Sequence, residues 1–232
     1  MHKVVLGFSG GLDSTSLLLY HLHAGNSVKT VQFLYGQLHD KEVYAAQRLL
    51  DYLMPQFPRQ ISDFGVIRLP DIFSGSALIS NDPDDIPEGH YHQKNMEKTV
   101  VPNRNGVFMN ILASICIGLQ YDKIGIAVHQ GDHFIYHDCR PEYIKAMENA
   151  IMLSSFPGIK VHCPFLDSDK GKILRAALQW CDELKINFDE IYSRTWTCYK
   201  GQELACGKCG SCVERLEAFH TVGRKDPVEY EC

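Results

Sequence analysis

Short apolar runs alternate with helical patterns along most of the chain. Residues 3–8 form an apolar run that ends in glycines, and residues 13–23 then carry leucines at the spacing of a helix. Further strands are predicted at 28–35, 66–69, 124–129 and 159–162, and further helices at 40–53, 104–119, 141–153 and 167–181. This alternation indicates an α/β fold with a mostly parallel sheet and helices on both faces. Ligands of such folds bind at the carboxyl ends of the strands.

Two stretches interrupt the alternation. Residues 70–100 are rich in proline and polar side chains, and residues 197–212 contain a group of cysteines. Loops of this length are usually functional or disordered. His90 and His92 stand two apart in the first stretch, which is poor evidence for a metal site, and we interpret residues 88–92 as part of a mobile lid near the ligand.

Composition and charge restrict the class of protein. The 232 residues are 45% apolar and 22% charged with a net charge of −5, which is typical of a soluble globular protein. We predict one domain over 1–195 and a cysteine segment over 196–232 packed on it. No run approaches the ~18–20 apolar residues of a membrane span, and no cleavable signal opens the chain, so a cytoplasmic protein without a membrane partner is expected. The acidic balance argues against a nucleic-acid partner.

The turn after the first strand suits an anion. Two glycines and two serines occupy residues 9–14, which read S-G-G-L-D-S, where the chain must enter a helix. Glycines allow close backbone approach, and the helix N-terminus presents unpaired N–H groups and partial positive charge. Ser9 and Ser14 can donate to phosphate oxygens, and Asp13 can hold Mg²⁺. A plain capped Gly-Gly turn is the alternative, but the strand before and the helix after favour the anion site.

Four of the nine cysteines lie within fifteen residues, in the spacing C-x7-C-x2-C-x2-C. Such clustering without a secretory signal is typical of a metal site. Four thiolates can close a tetrahedron around Zn²⁺, which would make the ion structural. An iron–sulfur cluster and a redox-active Cys-x-x-Cys pair are the alternatives. The scattered cysteines, to which the sequence assigns no role, are Cys116, Cys139, Cys163, Cys181 and Cys232.

Three more motifs fall where loops would reach the ligand side of the sheet. Residues 35–42 read Y-G-Q-L-H-D-K-E, residues 101–105 read V-P-N-R-N, and residues 131–142 read G-D-H-F-I-Y-H-D-C-R-P-E. Arg104, at the start of a predicted helix, can grip a carboxylate or phosphate with two parallel hydrogen bonds.

The turn at residues 9–14 resembles the S-G-G-x-D-S signature of the ATP pyrophosphatases, or PP-loop enzymes. That resemblance implies a Rossmann-like fold of the adenine nucleotide alpha hydrolase-like type. It also implies that the loop grips the pyrophosphate of ATP while a substrate oxygen attacks the α-phosphorus. Amide-forming synthetases, tRNA thiolases and tRNA lysidine synthetase share the signature, so the turn alone leaves the reaction open.

The ordered set of motifs, with the cysteines and the closing G-R-K-D-P at 223–227, resembles the 7-cyano-7-deazaguanine synthase family of the queuosine-precursor pathway. The resemblance implies a carbon–nitrogen ligase that converts 7-carboxy-7-deazaguanine and ammonia to 7-cyano-7-deazaguanine through adenylated acid and amide intermediates. It implies ATP, the acid and ammonia as partners. It also implies Mg²⁺ with ATP and one structural Zn²⁺ per chain, and it allows a homodimer.

The same resemblance assigns the site residues. Asp13, Arg104 and Lys170 are expected to be catalytic. The ATP-binding residues are Phe8, Ser9, Gly10, Gly11, Leu12, Asp13, Ser14 and Thr15; the substrate-binding residues are Arg104, Asp132, His133, Asp138 and Arg140; the metal ligands are Cys198, Cys206, Cys209 and Cys212. One branch of the family has proline where this chain has His137, and Phe134 fills a variable position, which predicts a less rigid loop or a differently shaped pocket.

Three other functions remain open from the sequence. An adenylating enzyme of this type could transfer the activated deazaguanine to another acceptor. A PP-loop tRNA thiolase is a second alternative, although it would be expected to carry a basic surface. A zinc-ribbon interaction module without activity is the third, but it leaves the anion-binding turn and Arg104 unexplained.

Overall fold

The fold is built on one five-stranded parallel sheet. The computed structural model describes residues 1–69 and 71–231, so Pro70 and Cys232 lie outside the described residues. The strands are β1 (Lys3–Gly7), β2 (Ser27–Leu34), β3 (Ile61–Arg68), β4 (Lys123–Gly125) and β5 (Lys160–His162). They pair in the order β3-β2-β1-β4-β5, every pair parallel. The predicted α/β class with a parallel sheet is therefore confirmed.

Helices cover both faces of this sheet. They are α1 (Leu12–His23), α2 (Lys41–Leu53), α3 (Arg104–Gly118), α4 (Pro141–Leu153), α5 (Lys170–Leu184), α6 (Phe188–Tyr192) and α7 (Gly210–Thr221). Successive residues of a strand point to opposite faces. Val5 of β1 accordingly packs in the apolar cluster that includes α3 and α4, and Leu6 packs in the cluster that includes α1, α2, α5 and α7.

The central strand is apolar because both of its faces are buried. Val4, Val5 and Leu6 are completely inaccessible to water, as expected for a middle strand of a parallel sheet. The strand ends in Gly7, and the chain turns directly into α1. This turn places residues 8–14 at the carboxyl edge of the sheet.

Three elements differ from the sequence prediction by three residues or more at one end or both. β3 begins at Ile61 and not at 66, because its first half also pairs with β2. The sequence pattern did not show this half, since it is polar and a bulge interrupts the pairing. β4 stops at Gly125, four residues before the predicted end at 129, and a 3-10 turn follows at Gln130–Phe134. α5 begins at Lys170, since the Asp169 side chain accepts a hydrogen bond from the Lys172 N–H at 2.8 Å and caps the helix there.

The long polar stretch packs against the cysteine segment. Over its described residues, 71–100, its helical elements are short 3-10 turns, at Ala77–Ile79, Pro83–Asp85 and Lys94–Thr99. Tyr91 and Met96 are buried, and the Gly89 N–H donates to the Lys208 carbonyl at 2.9 Å. The lid motion expected of this stretch stays a prediction.

The cysteine segment belongs to the same apolar core as the sheet. Cys198 and Cys209 are buried in one cluster with Val5 and Val31 of the central strands. The division into 1–195 and 196–232 stays a prediction.

In the described part of the chain, the helices are all too short or too polar to traverse a bilayer.

Candidate active site

A cleft opens at the carboxyl ends of β1, β2 and β4. Its wall contains one residue from each of these strand ends or the position next to it: Gly7, Phe33 and Ile126. β1 lies between β2 and β4 in the sheet. The strands before β4 are added on one side of β1 and the later strands on the other, so the cleft lies where the strand order reverses. Parallel α/β sheets bind ligands at that point. Six of the residues predicted to bind ATP lie together in this cleft: Phe8, Ser9, Gly11, Leu12, Asp13 and Ser14.

The turn after β1 is shaped by its glycines. Gly10 has φ +77°, and a Cβ there would lie 2.4 Å from the Ala46 backbone nitrogen. The Gly11 N–H donates to Ser9 Oγ at 3.2 Å, and Ser9 Oγ lies 3.1 Å from Ser14 Oγ. No side chain caps α1 at Gly11, so the N–H groups and dipole of its first turn face the cleft and can bind an anion.

Two of the predicted ATP-binding residues lie behind the cleft wall. Gly10 is not among the lining residues, and its backbone carbonyl accepts from the Trp196 N–H at 3.0 Å. Thr15 is completely buried, and its Oγ1 has no hydrogen-bond partner among the described residues. Both residues shape the turn from beneath.

Replacing Gly10 with alanine is expected to disrupt the turn. The new Cβ would collide with the backbone of α2, which cannot move away as a side-chain tip can, and φ would be strained. We expect a loss of about 2 kcal/mol or more in the free energy of unfolding and loss of ATP binding, measured by denaturant unfolding and calorimetry. Gly25→Ala is the matched control, since Gly25 has φ +71° and nothing within 4 Å of the added Cβ.

Asp13 and Lys170 meet at the floor of the cleft. Asp13 Oδ2 lies 3.5 Å from Lys170 Nζ, and Asp13 Oδ1 is buried without a hydrogen-bond partner in the described part of the chain. Burial alone would lower the pKa of Lys170, but the carboxylates of Asp13 and Glu214 raise it well above its ordinary value. Lys170 is thus a fixed cation, and Asp13 keeps a free carboxylate oxygen that suits a divalent cation.

His129 and Asp132 adjoin this pair. His129 Nε2 lies 3.5 Å from Asp132 Oδ1 and 3.9 Å from Asp13 Oδ2. Burial raises the pKa of Asp132, although His129 and Lys170 oppose the shift. The His129 side chain also accepts from the Gly131 N–H and the Asp132 side chain from the His129 N–H, which together fix the turn after β4. Of the residues predicted to bind the substrate, Asp132 and Arg104 line the cleft.

Arg104 forms a second cationic group in the wall of the cleft. It begins α3, and its Nη1 donates to the Tyr35 hydroxyl at 3.0 Å. Burial raises the pKa of the neighbouring Glu42 carboxyl to about 7, although Arg104 acts in the other direction. Tyr35 and Glu42 belong to the motif at 35–42, but their convergence on Arg104 is not visible in the sequence.

Aromatic hydroxyls complete this wall. Tyr91, Tyr136 and Tyr199 line the cleft; the Tyr91 and Tyr199 hydroxyls are hydrogen-bonded, and Tyr136 OH lies 2.8 Å from Thr99 Oγ1. Such rings combine a flat apolar surface with polar edges, and a guanidinium binds a carboxylate through parallel hydrogen bonds. The wall therefore suits a flat heteroaromatic acid. A role of these tyrosines in the site was not predicted from the sequence.

The remaining predicted substrate residues lie outside the lining of the cleft. Asp138 Oδ2 accepts from the Asn105 N–H at 2.9 Å, and Arg140 Nε donates to the His133 carbonyl at 3.2 Å. These bonds brace the loop and the start of α3. Phe134 is 63% exposed and packs edge-on against His92. A role of His133, Asp138 and Arg140 in reading the base stays a prediction.

The four clustered cysteines form a compact sulfur shell. Cys198, Cys206, Cys209 and Cys212 are buried, with their Sγ atoms within 4.8 Å of one another. The Lys208 and Cys209 N–H groups donate to Cys206 Sγ at 3.4 and 3.3 Å, which favours a thiolate. Tetrahedral coordination with Zn–S distances of ~2.3 Å places the four sulfurs ~3.8 Å apart. Small inward shifts of the cysteine side chains would therefore accommodate the ion. The segment can hold a metal ion in a closed site.

A buried ion pair ties this shell to the cleft. Arg215 binds Asp226 through two hydrogen bonds of 2.7 and 2.9 Å. Its Nη1 also donates to Thr195 Oγ1 and Thr197 Oγ1, at 2.6 and 2.9 Å. Thr197 lines the cleft. Arg215 was not predicted from the sequence, and Asp226 appeared only within the motif at 223–227.

Known proteins resemble this chain over its whole length. The family described as "Queuosine biosynthesis protein QueC" matches residues 3–223. The chain is 42% identical over 230 residues to "7-cyano-7-deazaguanine synthase 2" of Colwellia psychrerythraea, which covers 99% of both chains. It is 43% identical over 229 residues to "7-cyano-7-deazaguanine synthase" of Caldicellulosiruptor bescii, covering 99% of this chain and 97% of the relative. The protein of that name from Methanoregula boonei is 42% identical, with 99% of each chain covered.

One solved structure is similar at a lower level. The U34-tRNA thiolase NcsA from Methanococcus maripaludis, with its 4Fe-4S cluster, gives a TM-score of 0.44 at 14% identity and covers 80% of this chain and 58% of its own. The family match and these relatives cover nearly the whole chain. They show that the chain belongs to the QueC family of queuosine biosynthesis proteins.

Proposed function

We propose that this chain is a 7-cyano-7-deazaguanine synthase, a ligase that forms the nitrile from 7-carboxy-7-deazaguanine and ammonia with ATP. The observation that carries the proposal is the cleft itself. In a member of the QueC family, one cavity brings together the glycine turn, the Asp13–Lys170 pair and Arg104 with its aromatic wall.

The reaction needs two activations. A carboxylate oxygen attacks the α-phosphorus of ATP and pyrophosphate leaves. Ammonia then attacks the acyl carbon and loses a proton, and AMP departs with the oxygen. The amide oxygen attacks the α-phosphorus of a second ATP, pyrophosphate leaves again, and loss of AMP and of both amide protons forms the C≡N bond. The protein mainly holds reactants in line and neutralises charge, because adenylation needs no enzyme nucleophile.

The residues at the glycine turn would bind the leaving pyrophosphate. Ser9 and Ser14 would supply hydroxyls, the start of α1 would supply backbone N–H groups, and Lys170 adds a fixed positive charge. Asp13 would hold the Mg²⁺ that accompanies ATP, for which its free Oδ1 is suited; the ion supplies positive charge beside the phosphates. Arg104 would bind the carboxylate, and Asp132 would accept from the base.

The four cysteines would hold one Zn²⁺. The closed sulfur shell leaves no position for a substrate or water. The ion would therefore supply structure and take no part in the reaction.

Incubation with ATP, Mg²⁺, 7-carboxy-7-deazaguanine and ammonium tests this function. We expect two AMP for each nitrile formed and a transient amide, measured by liquid chromatography and mass spectrometry. Omitting ammonium should stop amide and nitrile formation. If that acid releases no AMP while another acid does, the proposal is wrong.

Arg104→Lys is expected to weaken binding of the acid. Lysine keeps the charge but cannot form the parallel pair of hydrogen bonds. We expect KM for the acid to rise about tenfold or more, with KM for ATP nearly unchanged, measured by AMP release. Arg59→Lys, on an exposed position outside the cleft, is the control and should change neither constant. Equal increases in both KM values would contradict the assignment.

A further inference from the structure

Among the described residues, Glu214 is the carboxylate nearest to the Lys170 ammonium. Its Oε2 lies 2.8 Å from Lys170 Nζ, and Asp13 Oδ2 lies 3.5 Å away. The side chains of Lys170 and Glu214 are only 8% and 10% exposed. A buried ammonium group is stable only with a hydrogen-bonded anion, so this contact determines where Nζ lies.

Asp13 and Glu214 contact the lysine from different surroundings. Asp13 and Lys170 line the cleft, whereas Glu214 is not among the lining residues. A ligand that reaches Lys170 can therefore also contact Asp13, whereas Glu214 lies outside the lining. Glu214 can keep its hydrogen bond while the cleft is filled.

The carboxylate of Glu214 is itself held in place. The N-cap of α7 is Cys209, and Glu214 follows Cys212 by two residues. The next residue, Arg215, is anchored by its bonds to Asp226. On another side, a Cβ added to Gly131 would lie 2.9 Å from Glu214 Oε1, so the loop after β4 closes directly on the carboxylate.

We propose that Glu214 is a positioning residue that orients the Lys170 ammonium toward the phosphates of bound ATP. Through Glu214, the cysteine shell and α7 set the geometry of the nucleotide site. The inference rests on the proposed function, because that function gives Lys170 its contact with phosphate. It adds a residue outside the cleft and a physical connection between the metal segment and the cleft.

The test compares Glu214→Gln with Glu217→Gln, which removes a carboxylate that is 59% exposed on the same helix. Calorimetry with ATP and Mg²⁺ should show Kd raised about tenfold or more in Glu214→Gln, since a buried charge loses its partner, and unchanged in Glu217→Gln. KM for ATP should rise while KM for the acid stays nearly constant. Glu214→Asp keeps the charge and should restore part of the affinity.

Variants at Lys170 separate positioning from a general structural effect. Lys170→Met alone should weaken ATP binding, and adding Glu214→Gln to it should cause no further loss, because residues that act through one contact are not additive. Melting temperature and metal content are measured for each variant. If Glu214→Gln does not fold, Glu214→Asp takes its place in the same cycle.

Several results would overturn the proposal. These are additive losses in the double variant, or a change in ATP affinity below about twofold in Glu214→Gln. A protein that binds ATP but forms no nitrile would refute the proposed function, while the binding cycle would still decide on Glu214. A protein that binds no ATP would refute both.

Discussion

Asp13→Ala is expected to abolish AMP release while the fold stays intact. The substitution removes the carboxylate whose Oδ1 has no partner among the described residues and whose Oδ2 lies 3.5 Å from Lys170. In the proposed function this carboxylate holds the divalent cation beside the phosphates, so we expect the rate to fall by about a thousandfold or more. Lys170 keeps its bond to Glu214, so the folded structure should persist. AMP release and circular dichroism measure the two effects.

The control for Asp13→Ala is Asp51→Ala, which removes an exposed carboxylate from α2. That variant should release AMP at the rate of the unchanged protein. Activity of Asp13→Ala close to this rate would show that Asp13 does not hold the cation.

Cys209→Ser is expected to release the metal and destabilise the protein. Cys209 is completely buried, belongs to the sulfur shell and is the N-cap of α7. Metal affinity and folding are coupled, because the ligands are brought together only in the folded chain. We expect the melting temperature to fall by about 10 °C or more and the metal content to drop well below one ion per chain. Elemental analysis of the unchanged protein distinguishes zinc from iron.

Cys163→Ser is the matched control for Cys209→Ser, since Cys163 is a partly buried thiol outside the shell. It should keep its metal and most of its stability. If Cys209→Ser kept one metal ion per chain and the original melting temperature, the four-thiolate assignment would be wrong.

The sequence predicted those parts of the site that are continuous in the chain. The glycine turn consists of six adjacent residues between a strand and a helix, and the four cysteines follow one another at short, regular spacing. Both are therefore visible as local sequence patterns. The aromatic wall has no such pattern. Tyr91 and Tyr199 are hydrogen-bonded although 108 positions separate them in the chain, and each lies in an irregular segment without hydrophobic periodicity.

The fold class was predictable for a similar reason, whereas the first and last residues of its strands and helices were not. The alternation of strands and helices is a repeated local pattern, whereas the extent of each element depends on tertiary contacts. β3 gains its polar first half from pairing with β2. α7 begins within the cysteine shell, where glycines and cysteines hide the start of the helix from any periodic pattern. Glu214 was missed because its partner, Lys170, lies 44 residues away.

The protein also carries its own optical reporter. It contains two tryptophans, and one of them, Trp196, lines the cleft. Its indole N–H donates to the Cys198 carbonyl, and the Lys41 ammonium lies 4.3 Å from the centre of its ring. The other, Trp180, stacks on Phe165 outside the cleft lining. A Trp180→Phe background would leave a single emitter between the glycine turn and the sulfur shell. Its intrinsic fluorescence could follow nucleotide arrival and chelation of the metal in one label-free titration.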